Sequence, residues 1–239
     1  MIRTLDDFVR EFRIIKNKGW ILTHRSGSTG IGKTLEDLLG IVENNTDAPD
    51  FGEYELKSVR INAASMLTMF TKAPEPPRSN GVLLQKYGYI SSEIYGNNSK
   101  VLHATLSADR FTSVRGVNQL KISCENDGIY FESQNGIENI YYKKKTLREC
   151  FDRKYCGTFV YAYADSNGRG VNEKFHFVEA YAVSGFSYDE FAELLEQGII
   201  KIDIRIGQYP DGRLHDHGTA FRIRECDQYL LFKNKERLV

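Results

Sequence analysis

The chain has no apolar run long enough to cross a bilayer, so a helical membrane protein is excluded. It has no net charge, because 32 acidic residues balance 32 basic ones. That counts against a non-specific nucleic-acid coat protein, which would be basic overall, but is compatible with a local basic cleft. Cysteine is scarce, and Cys124, Cys150, Cys156 and Cys226 show no CxxC spacing, so no disulfide framework is expected. Repeats, low-complexity tracts and a clear linker are all missing. Met1 leads into Leu5, Phe8, Val9 and Phe12, which reads as an amphipathic helix rather than a secretion signal. The expected setting is a reduced cytoplasm.

What is present is a core. Of 239 residues, 41% are hydrophobic, with fourteen Tyr and fourteen Phe, enough for one large domain or two small ones. Periodicity predicts helices over 4–17, 33–43, 146–152 and 187–196, plus a short one closing the chain. Leu35, Leu38, Leu39 and Val42 share one face of the second. Strands are predicted at 20–22, 52–58, 65–71, 101–107, 119–124, 128–133, 137–142, 157–164, 174–183, 199–206 and 219–224. Asp165-Ser-Asn-Gly168 reads as a hairpin turn, and Ser187 with Glu190 as a capping box. Ala73-Pro-Glu-Pro-Pro77 is a hard stop. The class is mixed α and β. The basic clusters Lys143–Lys145, Arg148, Arg153, Lys154 and Lys233, Lys235, Arg237 read mainly as solvated faces.

The densest chemistry lies in Asp50-Phe-Gly-Glu-Tyr-Glu55-Leu-Lys57. In an extended chain Glu55 and Lys57 project to one face, and Tyr54 and Leu56 to the other. Asp50 can fold back beside Glu55. Two carboxylates can hold a hard divalent ion through oxygen, and a nearby ammonium can orient water or steady charge on a phosphate. A solvated Glu–Lys pair is the plainer alternative.

Two further motifs compete for attention. Gly27-Ser-Thr-Gly-Ile-Gly32-Lys33-Thr34 fits the phosphate-loop pattern, so a P-loop NTPase is an alternative. Against it, the preceding strand is short and ends polar, and the strand–helix alternation of a doubly wound sheet is missing. Farther on, Lys201-Ile-Asp203-Ile-Arg205-Ile206 puts acid and arginine on one face, followed by Leu214-His215-Asp216-His217 and Arg222. Three readings stay open on chemistry: a metal site, an ion-pair ladder, and base readout by Arg, His and Asp in a major groove.

Several blocks, in order, resemble one family: Thr29–Leu39, Asp47-Ala-Pro-Asp50-Phe, Glu55-Leu-Lys57, Leu67–Lys72, Tyr95-Gly-Asn-Asn98, Asp203–Gly207 and His215–Arg222. They are similar to the MvaI/BcnI type II restriction endonucleases, with the mismatch-repair nickase MutH more distant. The likeness runs from about residue 19 to 224, and 108–185 matches poorly. It implies a PD-(D/E)xK fold, α+β, with a central mixed sheet flanked by helices and two subdomains around a DNA cleft. The expected division is catalytic at about 1–107 and DNA-reading at about 108–239. The family's catalytic positions fall on Asp50, Glu55 and Lys57, with Glu36 as accessory acid and Mg2+ on Asp50, Glu55 and the Leu56 carbonyl. Its base-reading positions fall on Asp203, Arg205, His215, Asp216, His217 and Arg222. The resemblance also implies a monomer that nicks double-stranded DNA one strand at a time at a CC-N-GG-type site. A cognate DNA methyltransferase is its genetic partner. A MutH-like nicking repair enzyme is the second alternative.

Overall fold

The computed structural model describes residues 2–42, 49–61, 66–92, 99–116, 118–209, 211–216 and 218–239. His217 and the block Tyr95–Asn98 lie outside the described residues, as do Asp47 and Ala48. The chain opens with α1 (Leu5–Asn17), β1 (Ile21–Leu22), α2 (Gly30–Leu39), β2 (Tyr54–Arg60) and β3 (Met66–Thr71). Next come α3 (Ser79–Tyr87), β4 (Tyr89–Ser91), β5 (Ser99–Leu106), β6 (Thr112–Val114), β7 (Asn118–Cys124), β8 (Gly128–Ser133) and β9 (Gly136–Lys143). α4 (Lys144–Lys154), β10 (Thr158–Asn167), β11 (Lys174–Phe186), α5 (Tyr188–Glu196) and β12 (Lys201–Gln208) follow. β13 (Leu214–Asp216), β14 (Ala220–Arg224) and β15 (Phe232–Arg237) complete it. No helix among the described residues is long and apolar enough to cross a membrane.

The chain forms two compact units, and both are discontinuous in sequence. One takes Met1–Ser65, Cys156–Phe186 and Gln228–Val239, and the other Met66–Tyr155 and Ser187–Asp227. The expected contiguous division near residue 107 is therefore not how the chain packs. Returning segments complete the five-stranded and six-stranded sheets, and local periodicity carries no trace of that.

In the first unit the strands run β1-β11-β10-β2, with β15 also on β11. β2 and β10 are parallel, and the other pairs are antiparallel. Phe8, Phe12, Ile31 and Leu35 of the two helices pack on Leu56, Val160, Ala162, Ala164 and Phe177. The alanines on β10 leave room for the helices. Thr4 caps α1 through a reciprocal box with Asp7. α2 starts at Gly30 and ends where Gly40 turns left-handed at φ 69, so the expected run to residue 43 fails and Val42 is exposed. The hairpin strands continue to Asn167, so the turn lies beyond Asp165–Gly168, in Gly168–Glu173 with its 3-10 turn at Gly170–Asn172. The chain closes on strand β15, not a helix, after a 3-10 turn at Glu225–Leu231.

The second unit holds the antiparallel sheet β3-β14-β12-β5-β4, with β13 on β12, and the meander β6-β7-β8-β9. Its ring cluster stacks Phe70 on Phe221 at 4.8 Å, with Tyr142 and Phe191 against Phe221. The proline stop is a cis Glu75–Pro76 peptide that leads into α3, a helix the periodicity did not predict. Ser187 does cap α5, but through Asp189 N–H, so the box expected with Glu190 is not the one used.

Candidate active site

Asp50 is brought to β2 by a tight turn. Phe51 and Tyr54 exchange backbone hydrogen bonds at 3.2 and 2.8 Å, and Gly52 between them sits at φ 54. Phe51 is buried and stacks on Phe8 at 5.6 Å, which ties the turn to the helical core. The Asp50 carboxylate then accepts the Leu56 N–H at 2.7 Å. Leu56 points into the core, so Glu55 and Lys57 share the other face, as alternation requires. Lys57 Nζ donates to Glu55 Oε1 at 2.5 Å, and the two side chains are 24% and 30% exposed for Glu55 and Lys57, within reach of solvent. On β10 the parallel partners are Phe159 opposite Glu55 and Tyr161 opposite Lys57, both buried. The acid–lysine pair therefore has an apolar flank. Glu36 lies half-buried on α2, which packs on β2. No three His, Cys, Asp or Glu side chains converge as a metal cluster among the described residues.

The glycine-rich loop is not a phosphate cradle. A phosphate loop aims backbone N–H groups at an anion. Here the Gly27 and Ser28 carbonyls accept from the Arg60 guanidinium at 3.3 and 3.1 Å, so the loop wraps a cation. Arg60 also pairs with Glu173 at 2.9 Å and lies over the Phe175 ring. Thr34 is buried, with its hydroxyl on the Gly30 carbonyl at 2.7 Å, and Lys33 pairs with Asp37 at 2.8 Å along the helix. The strand before the loop is a two-residue antiparallel piece, and Asp165 pairs with His176 in a hairpin. The P-loop NTPase alternative fails on each of these points.

The second unit carries the other expected residues. β12 runs between β5 and β14, with Thr105 and Ala220 as the partners of Asp203. The Asp203 carboxylate, 1% exposed, accepts from Thr105 Oγ1 at 2.7 Å, Arg205 Nε at 3.0 Å and Arg222 Nη1 at 3.1 Å. Asp216 accepts from Gly218 N–H at 2.8 Å and from Asn80 Nδ2 at 2.5 Å, while Thr219 donates to Asn80 Oδ1 at 3.2 Å. The Tyr209 hydroxyl meets His215 Nδ1. These contacts make the ion-pair reading a fact for Asp203, and among the described residues nothing completes a zinc set.

The family model for MvaI/BcnI restriction endonucleases matches residues 9–232, nearly the whole chain. The chain belongs to that family. Two solved structures are similar over its full length. One, the restriction endonuclease MvaI in complex with cognate DNA, is 31% identical with TM-score 0.78, covering 100% of both chains. The other, MvaI in the absence of DNA, is 32% identical with TM-score 0.62, covering 100% of this chain and 99% of that one. No curated protein sequence is significantly similar. As a member of the family the chain is a type II site-specific deoxyribonuclease with a PD-(D/E)xK fold.

Within that family frame, sequence reasoning missed the residues that support the site. Arg60 and Glu173 lie 113 positions apart, and only the fold joins them. Thr105 alternates correctly on its strand, but its partner is 98 residues away. Asn80 sits on the helix that periodicity overlooked, and Tyr209 stands in a polar stretch without pattern.

Proposed function

We propose that this endonuclease hydrolyses double-stranded DNA at a short G·C-rich site of the CC-N-GG type, with Asp50, Glu55 and Lys57 at its catalytic centre. The observation that carries this is the Asp50 carboxylate held on the Leu56 amide, next to the Glu55–Lys57 pair. Asp50, Glu55 and the Leu56 carbonyl are hard oxygen donors, a set that suits Mg2+. When bound, Mg2+ supplies positive charge that offsets the charge growing on the scissile phosphate. Lys57 projects beside Glu55 and orients the attacking water. The water oxygen forms the new bond to phosphorus, the bond to the 3′ oxygen breaks, and that oxygen leaves with a proton. Products are 5′-phosphate and 3′-hydroxyl ends. Glu36 acts from α2 as an accessory acid.

The first compact unit is the catalytic one on this reading, and the second reads bases. Arg205 and Arg222 face guanines, and His215, Asp216 and His217 complete the contacts. Asp203, one of the positions that the family resemblance assigns to base reading, is 1% exposed and pairs inward with both arginines. One chain carries one such centre, so a monomer nicks each strand in turn, and a DNA methyltransferase of the same specificity is its genetic partner. The test is digestion of a plasmid of known sequence with Mg2+, followed by sequencing of the ends. Discrete fragments are expected, while Asp50→Ala should bind the same site in Ca2+ without cutting it. Wild-type rates from Asp50→Ala would remove the assignment.

A further inference from the structure

Resting on the reading role proposed for Arg205 and Arg222, we infer that Asp203 is a positioning residue that sets both arginines and touches no base itself. Strand alternation gives Asp203 and Arg205 equal standing on one face. Exposure separates them: Asp203 is 1% exposed, Arg205 44% and Arg222 30%. An ionised carboxylate has about four acceptor sites, and Asp203 uses three, on Thr105, Arg205 and Arg222. Its remaining capacity is buried. Arg205 gives its Nε inward, which leaves its two terminal nitrogens for an outside partner, the fork that meets guanine O6 and N7. Arg222 gives Nη1 inward, and its Nε is buried with no hydrogen-bond partner among the described residues, while the side chain as a whole stays 30% exposed. One carboxylate thus fixes two long side chains that would otherwise sample many rotamers. The Thr105 hydroxyl in turn fixes the carboxylate.

The test is a mutant cycle on binding. The probe is a duplex of the site found by end sequencing, with duplexes in which one base pair is changed. Discrimination is their Kd ratio in Ca2+ by fluorescence anisotropy, with Tm measured on each protein. Asp203→Asn should lose about tenfold to hundredfold discrimination at the pairs that Arg205→Ala and Arg222→Ala relax. Placed in the Arg205→Ala/Arg222→Ala double variant, Asp203→Asn should add less than about twofold, as expected of a residue acting through them. A further tenfold loss in that background means direct base contact and overturns the positioning role. If Asp203→Asn does not fold, Thr105→Val decides: a selective loss at the same pairs supports the role, and unchanged discrimination overturns it. A wild-type protein that binds no duplex specifically overturns the reading face as well. Normal wild-type discrimination with an indifferent Asp203→Asn overturns positioning alone.

Discussion

Gly52→Ala should slow DNA cleavage far more than it unfolds the protein. Gly52 sits at φ 54, where a β-carbon costs about 1–2 kcal/mol. A built Cβ also lies 2.7 Å from the Arg3 carbonyl oxygen, 0.7 Å short of the 3.4 Å at which ordinary contact begins. Arg3 immediately precedes Thr4, the cap of α1, and α1 holds Phe8 against Phe51, so that carbonyl is poorly placed to yield. The turn must move instead. Its product is the 2.7 Å bond from Leu56 N–H to Asp50, which a shift of most of an ångström breaks. A misplacement of about 1 Å costs on the order of hundredfold in rate, so a loss of roughly tenfold to hundredfold is expected. With about 1 kcal/mol more for the contact, stability falls roughly 2–3 kcal/mol, or about 4–12 °C in Tm. The assay is single-turnover nicking of supercoiled plasmid beside thermal melts. Gly19→Ala is the control, because Gly19 has φ 71 with nothing within 4 Å of its built Cβ. It should melt a few degrees lower and cut normally. Wild-type cutting by Gly52→Ala, or equal slowing by Gly19→Ala, would refute the idea that this turn places Asp50.

Other perturbations separate the remaining readings. Lys33→Ala should cut DNA normally and lose only about 0.5 kcal/mol, the worth of a helix ion pair; loss of cutting with intact Tm would restore a phosphate role for the loop. Arg60→Met leaves Glu173, only 11% exposed, without its partner, so urea denaturation should show a loss of about 3–5 kcal/mol, and Arg60→Met/Glu173→Gln should recover part of it. The Cys124 thiol is pushed up to about 11, first by burial and then by Glu196 and Glu125. Its alkylation should therefore stay slow at pH 9 and accelerate toward pH 11. Because the folded value exceeds the usual 9.0, the stability it contributes is complete below pH 9 and fades as pH rises through 11. Cys124→Ser should remove that part of the alkaline decline in a Tm–pH profile.

Local pattern made some of this molecule legible and left a definite remainder. Alternation put Glu55 and Lys57 on one face, and periodicity located most helices and strands within a few positions. Depth was not legible. Asp203 and Arg205 differ by two residues on one face of one strand, yet one is buried and the other is nearly half exposed. The difference comes from β5 and β14, whose registers set Thr105 and Ala220 beside Asp203 and bring Arg222 over it. Those strands are about a hundred residues and about twenty residues away in sequence, respectively. The same limit explains the glycine loop. Its pattern fits a phosphate cradle at every position, but a loop's polarity is decided by what fills it, and Arg60 arrives from a strand, 32 residues on from Ser28. A carboxylate sunk between two arginines and an arginine clasped by loop carbonyls follow one rule: the buried charge dictates which way its exposed neighbours face. In this endonuclease the residues that meet DNA should therefore be tuned by mutations one layer behind them, at Asp203, Thr105 and Asn80, without any change to the contacts themselves.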